Sequence, residues 1–185
     1  MPGETELECG QCQQRPPPWT RAFALFQYRE PVRSLIQQCK YQQQLHMSAS
    51  LGGLWARELG HQLDTGNADA IVPIPLHWRR LWQRGFNQVI ELLRPAVKSH
   101  SLNLQPGWLR RRYYAHSQTH MNKKARISNL QHAFICDTEY VHDKHIILVD
   151  DVMTTGATAL AASSCLLDAG ARRVDLAVLA RTDLG

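Results

Sequence analysis

The sequence predicts an α/β fold in which a mainly parallel, twisted β-sheet has helices on both faces. Short apolar runs alternate with amphipathic helical patterns, and the strongest run is four consecutive aliphatic residues, Ile146–Val149. Strands that alternate with helices are typical of parallel sheets, because a crossover must carry the chain back between parallel strands. A length of 185 residues suits one compact domain with a small appendage.

The first half of the chain supplies two predicted strands and three predicted helices. The strands are expected at 22–28 and at 70–75, where prolines mark the end of the second. Three apolar stripes recur at helical spacing. They comprise Val32, Leu35, Ile36 and Cys39; Leu51, Leu54, Trp55 and Leu59; and Val89, Leu92, Leu93, Ala96 and Val97.

The second half begins with a polar, basic stretch at 106–130 that shows no clear periodicity. A buried strand is predicted at 146–149, followed by a helix at 157–169 with Gly170 as its terminating residue. Another strand is expected at 174–179. The chain has no run of about 18 apolar residues, and its first residues lack the basic flank and apolar core of a secretion signal, so we expect a cytoplasmic protein.

Positive charge is concentrated in the middle of the chain. The formal net charge is +5, yet residues 76–126 contain eleven Lys and Arg and a single acid, Glu91. Such a segment favours a polyanionic partner, either the phosphates of a small ligand or those of nucleic acid. A solvated basic surface without a partner is the alternative.

The segment Ile146–Thr158 carries the most informative pattern. Asp150 and Asp151 directly follow the predicted strand, which should place them at the carboxyl edge of the sheet, where open α/β folds bind ligands. Carboxylates accept hydrogen bonds from vicinal hydroxyls such as a ribose diol. The turn that follows should form an anion cradle from hydroxyls, a glycine and the N–H groups of a helix start. Its residues are Thr154, Thr155, Gly156, Ala157 and Thr158.

This segment resembles the phosphoribosyl-pyrophosphate signature of type I phosphoribosyltransferases. The resemblance implies a type I phosphoribosyltransferase-like fold that binds 5-phosphoribosyl-1-pyrophosphate or a related ribose phosphate. It further implies that Asp150 and Asp151 bind the ribose hydroxyls and that residues 154–158 hold the 5-phosphate. Mg²⁺ would bridge the ribose hydroxyls and the pyrophosphate, as is typical of Mg²⁺ with phosphate ligands. The alternative, in which an Asp or Thr merely caps a helix, explains only one of these residues.

Two basic segments are predicted to contact the pyrophosphate. Arg79, Arg80 and Arg84 follow the second predicted strand and should also meet the carboxyl edge of the sheet, where guanidinium groups could stabilise a departing pyrophosphate. Asn87, just beyond them, is a candidate helix N-cap. The segment 110–134 is expected to be either a mobile basic lid or a simple surface loop. The candidate catalytic residues are Asp150, Asp151, Arg84 and Arg110.

The order of motifs along the chain resembles the competence protein F family. The motifs run from Cys9 and Cys12 through Pro73–Leu76 and Arg84–Gln88 to the acid–threonine loop, with Gln118, Arg126, Asn129, Ala133 and Phe134 between them. This likeness covers about residues 9–182. It implies a phosphoribosyltransferase-like domain connected with the uptake or use of external DNA.

Cysteine usage bears on metal binding. Cys9 and Cys12 form half of a zinc site, because tetrahedral Zn²⁺ needs four ligands. Members of the family usually carry further Cys pairs upstream, so residues 1–20 are interpreted as the remnant of a zinc-binding module with a Pro-rich linker, ahead of a domain at 21–185. Zn²⁺ is expected only in a longer form. Cys39 and Cys165, and as a further candidate Cys136, are predicted to be small buried hydrophobes.

Three functions fit these features. The first is a phosphoribosyltransferase whose acceptor the sequence does not identify. The second is a non-catalytic sensor of phosphoribosyl pyrophosphate or a nucleotide. The third is a nucleic-acid-binding module in which the aromatic residues of the basic segment stack on bases. An oligomer is compatible with each of them.

Overall fold

The computed structural model describes residues 13–14, 16–39, 45–62, 67–76, 81–82, 84–100, 103–112 and 133–182. A four-stranded sheet lies at its centre. The strands are β1 (Ala22–Gln27), β2 (Ala70–Pro73), β5 (His145–Met153) and β6 (Arg173–Arg181), in the order β1-β6-β5-β2. All three neighbouring pairs are parallel, which confirms the predicted sheet.

Helices cover both faces of the sheet. They are α1 (Val32–Gln38), α2 (Leu45–Gln62), α3 (Gln88–His100), the short α4 (Thr138–Val141) and α5 (Ala157–Asp168). Because strand residues alternate between faces, Ile147 and Val149 pack with residues of α1, α2 and α3, whereas Ile146 and Leu148 pack with residues of α4 and α5. The two layers confirm the predicted arrangement of helices.

The predicted helical stripes pack largely as expected. Ile36, Trp55, Leu92 and Leu93 are all fully buried against one face of the sheet. Leu54 is an exception, because 36% of its surface is exposed to solvent, so the prediction that it belongs to the core stripe is wrong. Its neighbour Trp55 occupies the buried side of α2 instead.

A second, two-stranded sheet was not predicted. It consists of β3 (Leu109–Arg111) and β4 (Phe134–Cys136), which pair antiparallel in the register Leu109↔Cys136 and Arg111↔Phe134. The prediction that 110–134 is wholly a loop is therefore wrong at both of its ends. Residues 113–132, which include Gln118, Arg126 and Asn129, lie outside the described residues.

At the amino end of β5 and β6, a buried polar cluster joins neighbouring elements. Asp175 is fully buried, and its carboxylate contacts His145 Nε2 at 2.9 Å and a guanidinium nitrogen of Arg173 at 2.8 Å. It also accepts a hydrogen bond from the Arg21 N–H at 3.1 Å. A buried carboxylate is tolerated there because its oxygens have partners.

Within the described residues, no helix is both long and apolar enough to cross a membrane.

Candidate functional site at the carboxyl edge of the sheet

The site begins where the sheet narrows from four strands to three. The last Cα pair between β2 and β5 is Pro73↔Val149, and the Ile74 N–H still donates to Val149 O at 2.8 Å. β5 continues beside β6 as far as Met153↔Arg181. The strand is therefore longer than predicted, and Asp150 and Asp151 lie within it rather than after it. The early end of β2 leaves them beside an open step in the sheet edge.

Each acid accepts a hydrogen bond from the backbone that follows it. The Asp151 N–H donates to Asp150 Oδ1 at 2.9 Å, and the Val152 N–H donates to Asp151 Oδ1 at 2.7 Å. Burial raises the pKa of Asp150 well above its usual range, and the adjacent charge of Asp151 acts in the same direction. The hydrogen bond from Asp151 and the positive charge of Arg111 oppose this rise without cancelling it.

The turn after β5 has the conformation expected of an anion cradle. Gly156 has φ of 74°, in the left-handed region that glycine adopts readily, and it immediately precedes α5. The Ala157 N–H donates to Thr155 Oγ1 at 3.5 Å. The residue that follows β6 secures the turn, because the Thr182 N–H donates to Met153 O at 3.0 Å and its hydroxyl donates to Thr154 O at 3.3 Å. A helix start presents N–H groups that have no partner within the helix, so this turn is suited to an anion.

A small pocket brings the acid and the turn together. Its volume is about 40 Å³, and its lining includes Asp150 together with all five predicted cradle residues, Thr154 to Thr158. Asp151 is its neighbour in sequence but is absent from this lining. The structure thus places the Asp150 carboxylate and the 154–158 turn around the same pocket.

A larger cavity of about 320 Å³ lies where β2 ends. Its walls are partly apolar, with Leu76, Ile90 and Leu109 among the lining residues. Three successive arginines also line the cavity and give part of its wall a positive charge. These are Arg110, Arg111 and Arg112. The Arg111 guanidinium lies over the Phe134 ring, 5.4 Å from its centroid. The positive charge of Arg111 also acts on Asp150, where it opposes the rise in pKa that burial causes.

Asn87 connects the cavity to the sheet edge and to α3. Its side-chain amide donates to Ile74 O at 3.2 Å, while Asn87 Oδ1 accepts from the Val89 N–H at 3.1 Å. Asn87 lines the cavity as well, so the residue has the predicted N-cap geometry and a wall position. Arg84 lies three residues earlier, before Gly85, whose φ is 78°.

The structure brings together only some of the predicted site residues. Asp150 lines the pocket with residues 154–158, and Arg110 lines the cavity. Arg84 is half-buried and is absent from both linings, so its role stays a prediction. Arg79, Arg80, Cys9 and Cys12 lie outside the described residues. No group of three or more metal-type side chains occurs within the part of the chain that the structure describes.

The sequence does not predict a site role for Arg111, because residues 106–130 show no clear periodicity. Leu109 and Arg111 are two residues apart in a strand and so project to the same face, while Arg110 projects to the other. The buried Leu109 was therefore a signal that Arg111, rather than Arg110 alone, turns toward the protein interior.

Comparison with known proteins identifies the class of fold. Residues 107–183 match the model of the phosphoribosyl transferase domain. The solved structure of glutamine phosphoribosylpyrophosphate amidotransferase from B. subtilis superimposes with a TM-score of 0.52 at 16% identity, over 77% of this chain and 30% of that longer chain. The likeness concerns fold alone. The chain therefore has a fold of the phosphoribosyltransferase type, and residues 107–183 match that domain.

Relatives at higher identity narrow the class to a family. The chain is 35% identical over 183 residues to DNA utilization protein YhgH of Salmonella typhi, covering 97% of this chain and 80% of that protein. It is 30% identical over 181 residues to competence protein F of Haemophilus influenzae, covering 94% of this chain and 78% of that protein. The chain therefore belongs to the competence protein F family.

Proposed function

We propose that this chain binds 5-phosphoribosyl-1-pyrophosphate together with Mg²⁺ at the carboxyl edge of its sheet. The observation that carries the proposal is the small pocket in which Asp150 and the Thr154–Thr158 turn share one space. A carboxylate that accepts hydroxyl hydrogen bonds, beside a helix start that attracts an anion, matches a sugar that bears a phosphate.

The arginine-lined cavity supports a place for the pyrophosphate. Arg110, Arg111 and Arg112 contribute positive charge to the cavity. The charge of Arg111 also favours the ionised form of Asp150. A ligand whose ribose lies at Asp150 could extend its pyrophosphate from the sugar toward this charge. Guanidinium groups bind such oxyanions through paired, charge-assisted hydrogen bonds.

The residues at the edge of the sheet are suited to Mg²⁺. This ion typically binds through one or two carboxylates and substrate phosphates while it keeps several waters. The raised pKa of Asp150 reflects the cost of placing a partly buried carboxylate beside Asp151. A divalent cation would lower that cost, because its charge favours the ionised form of both acids.

In the proposed reaction, an acceptor nucleophile displaces pyrophosphate from C1 of the ribose. The contribution of the protein would be orientation and charge: the 154–158 turn fixes the 5-phosphate, Asp150 and Asp151 hold the diol, and arginines stabilise the charge that grows on the leaving group. We propose that this chemistry, or ligand sensing by the same site, underlies a role in the use of external DNA. Binding without turnover would favour the sensor.

The arginine assignments can be tested with the two halves of the ligand. Calorimetric titration of pyrophosphate and of ribose 5-phosphate should show that Arg84→Ala and Arg111→Ala each weaken pyrophosphate more than ribose 5-phosphate. Arg94→Ala is the matched control, because Arg94 is exposed on α3 and pairs with Glu91 at 2.6 Å. Equal losses for both ligands, or the same loss in the Arg94 variant, would contradict the assignment.

One observation favours nucleic-acid binding as a second function. Trp82 lies in the basic segment, and 89% of its surface is exposed, with Leu81 beside it at 43%. An exposed indole next to arginines is a platform on which bases can stack. Single-stranded DNA should then bind with an affinity that falls about 5- to 150-fold in Trp82→Ala, corresponding to ~1–3 kcal/mol per stacked base. Affinity that does not change in this variant would eliminate Trp82 as the contact.

A further inference from the structure

A pair of thiols joins β4, the strand that pairs with β3, to α5. Cys136 is in β4 and Cys165 is in α5, 29 residues apart in sequence, and their sulfurs are 3.4 Å apart. The Cys136 thiol also lies 3.2 Å from Cys165 O. Both residues are half-buried, whereas Cys39 is only 2% exposed and has no cysteine nearby within the described chain. Cys165 is therefore less buried than predicted, although Cys165 and Cys136 both pack against the hydrophobic core.

The surroundings shift the pKa values of the two thiols in opposite directions. The hydrogen bond from Cys136 lowers the pKa of Cys165, and the positive charge of Arg112 acts in the same direction against burial and Asp168. The same hydrogen bond raises the pKa of Cys136, as do burial and nearby acids. Since a thiolate is the nucleophile in thiol chemistry, Cys165 is the sulfur prepared to attack.

We propose that Cys136 and Cys165 form a reversible oxidation site that closes a disulfide between β4 and α5. The oxidant is a small disulfide, RSSR. The Cys165 thiolate attacks one of its sulfurs, so that an S–S bond forms to Cys165 and one RS⁻ leaves and takes up the proton that Cys165 lost. Cys136 then gives up its proton and attacks the Cys165 sulfur, releasing a second RSH. Two protein thiols are oxidised and one RSSR is reduced to two RSH.

The position of the pair makes bond formation feasible. A disulfide bond is about 2.05 Å long, so the sulfurs need to approach each other by about 1.4 Å. The new bond would tie the β3–β4 strands, which carry Arg110 and Arg111, to α5, the helix that follows Gly156. The oxidation state of the two cysteines would thus fix the position of β3, which lines the larger cavity, relative to the 154–158 turn. The oxidation itself does not depend on ribose-phosphate binding.

Peptide mapping of the full chain tests the proposal. The protein is equilibrated with oxidised glutathione as the probe, free thiols are alkylated, and an unreduced tryptic digest is analysed by mass spectrometry. Cleavage after Arg126, Lys144 and Arg172 places Cys136 in peptide 127–144 and Cys165 in peptide 145–172. We expect these peptides to be linked, with a mass two hydrogens below their sum, and to separate after treatment with dithiothreitol.

Single variants separate the two steps. Cys136→Ser should stop the reaction at a mixed disulfide between glutathione and Cys165, which should form at least about tenfold faster than one at the buried Cys39. Cys39→Ser is the matched control and should leave the 136–165 link unchanged. Circular dichroism would verify that each variant is folded. The proposal would be overturned if folded wild type kept both thiols alkylatable, or if either cysteine linked only to glutathione, Cys9 or Cys12.

Discussion

Gly156 provides the sharpest test of the turn geometry, because replacing it with alanine changes little except backbone preference. A Cβ at this position would lie 3.7 Å from Met153 Sδ and 3.9 Å from Trp19, both ordinary contacts. The φ of 74° nevertheless costs an L-residue about 1–2 kcal/mol. Alanine also lowers the conformational entropy of the unfolded chain relative to glycine, which stabilises the folded state by ~0.4–1 kcal/mol. We therefore expect Gly156→Ala to destabilise the protein by about 1 kcal/mol.

Gly53 supplies a matched control for the same substitution. It lies inside α2, and a Cβ there would have nothing within 4 Å. Removing a glycine from an exposed helix interior should stabilise the protein by about 0.5–1 kcal/mol. The two alanine variants should therefore differ by about 2 kcal/mol, or roughly 4–8 °C in Tm for a chain of this length.

Thermal unfolding followed by circular dichroism measures this difference directly. Titration with ribose 5-phosphate should show weaker binding to Gly156→Ala than to Gly53→Ala, because the left-handed turn orients the N–H groups of the helix start. The reasoning would be refuted if Gly156→Ala melted at the same temperature as Gly53→Ala or above it.

Three further predictions concern individual side chains and one helix contact. Asp150→Asn should raise Tm more at pH 7 than near pH 4, because a carboxyl whose pKa is raised in the folded state destabilises the protein progressively as pH rises above its unfolded pKa; equal shifts at both pH values would contradict this. Asp175→Ala should cost about 3–5 kcal/mol in urea unfolding, since it leaves Arg173 and His145 without their buried partner, and a loss below 1 kcal/mol would count against the cluster. Gly52→Ala should destabilise the protein by about 1–3 kcal/mol, whereas Gly53→Ala should stabilise it, because a Cβ on residue 52 would lie 1.9 Å from Leu92 O. Stabilisation by Gly52→Ala would disprove that contact between α2 and α3.

The parallel sheet could be predicted because its strands and helices have strong local patterns. Ile146–Val149 and the stripes of α2 and α3 are long enough for period and composition to distinguish strand from helix. The short strands β3 and β4 could not be predicted in the same way. Each contains three residues, and 22 residues separate them, so their pairing depends on tertiary packing of Leu109 and Phe134 rather than on a sequence period.

The site was predictable to the extent that its residues adjoin one another in sequence. Asp150 and the Thr154–Thr158 turn fall in one segment, and the sequence therefore indicated that they would meet. The effect of the Arg111 charge on Asp150 and the contact of Cys136 with Cys165 span longer separations in sequence. Such contacts follow from how the β3–β4 sheet packs on α5, which no local pattern specifies.

Calorimetric titration with 5-phosphoribosyl-1-pyrophosphate, with and without Mg²⁺, tests the central claim most directly. It should be carried out on wild type and on the double variant Asp150→Asn, Asp151→Asn, with unfolding curves to verify that both are folded. We expect Mg²⁺-dependent binding to wild type that disappears in the double variant. Undiminished affinity in the folded double variant, or no binding to folded wild type, would contradict the proposed site.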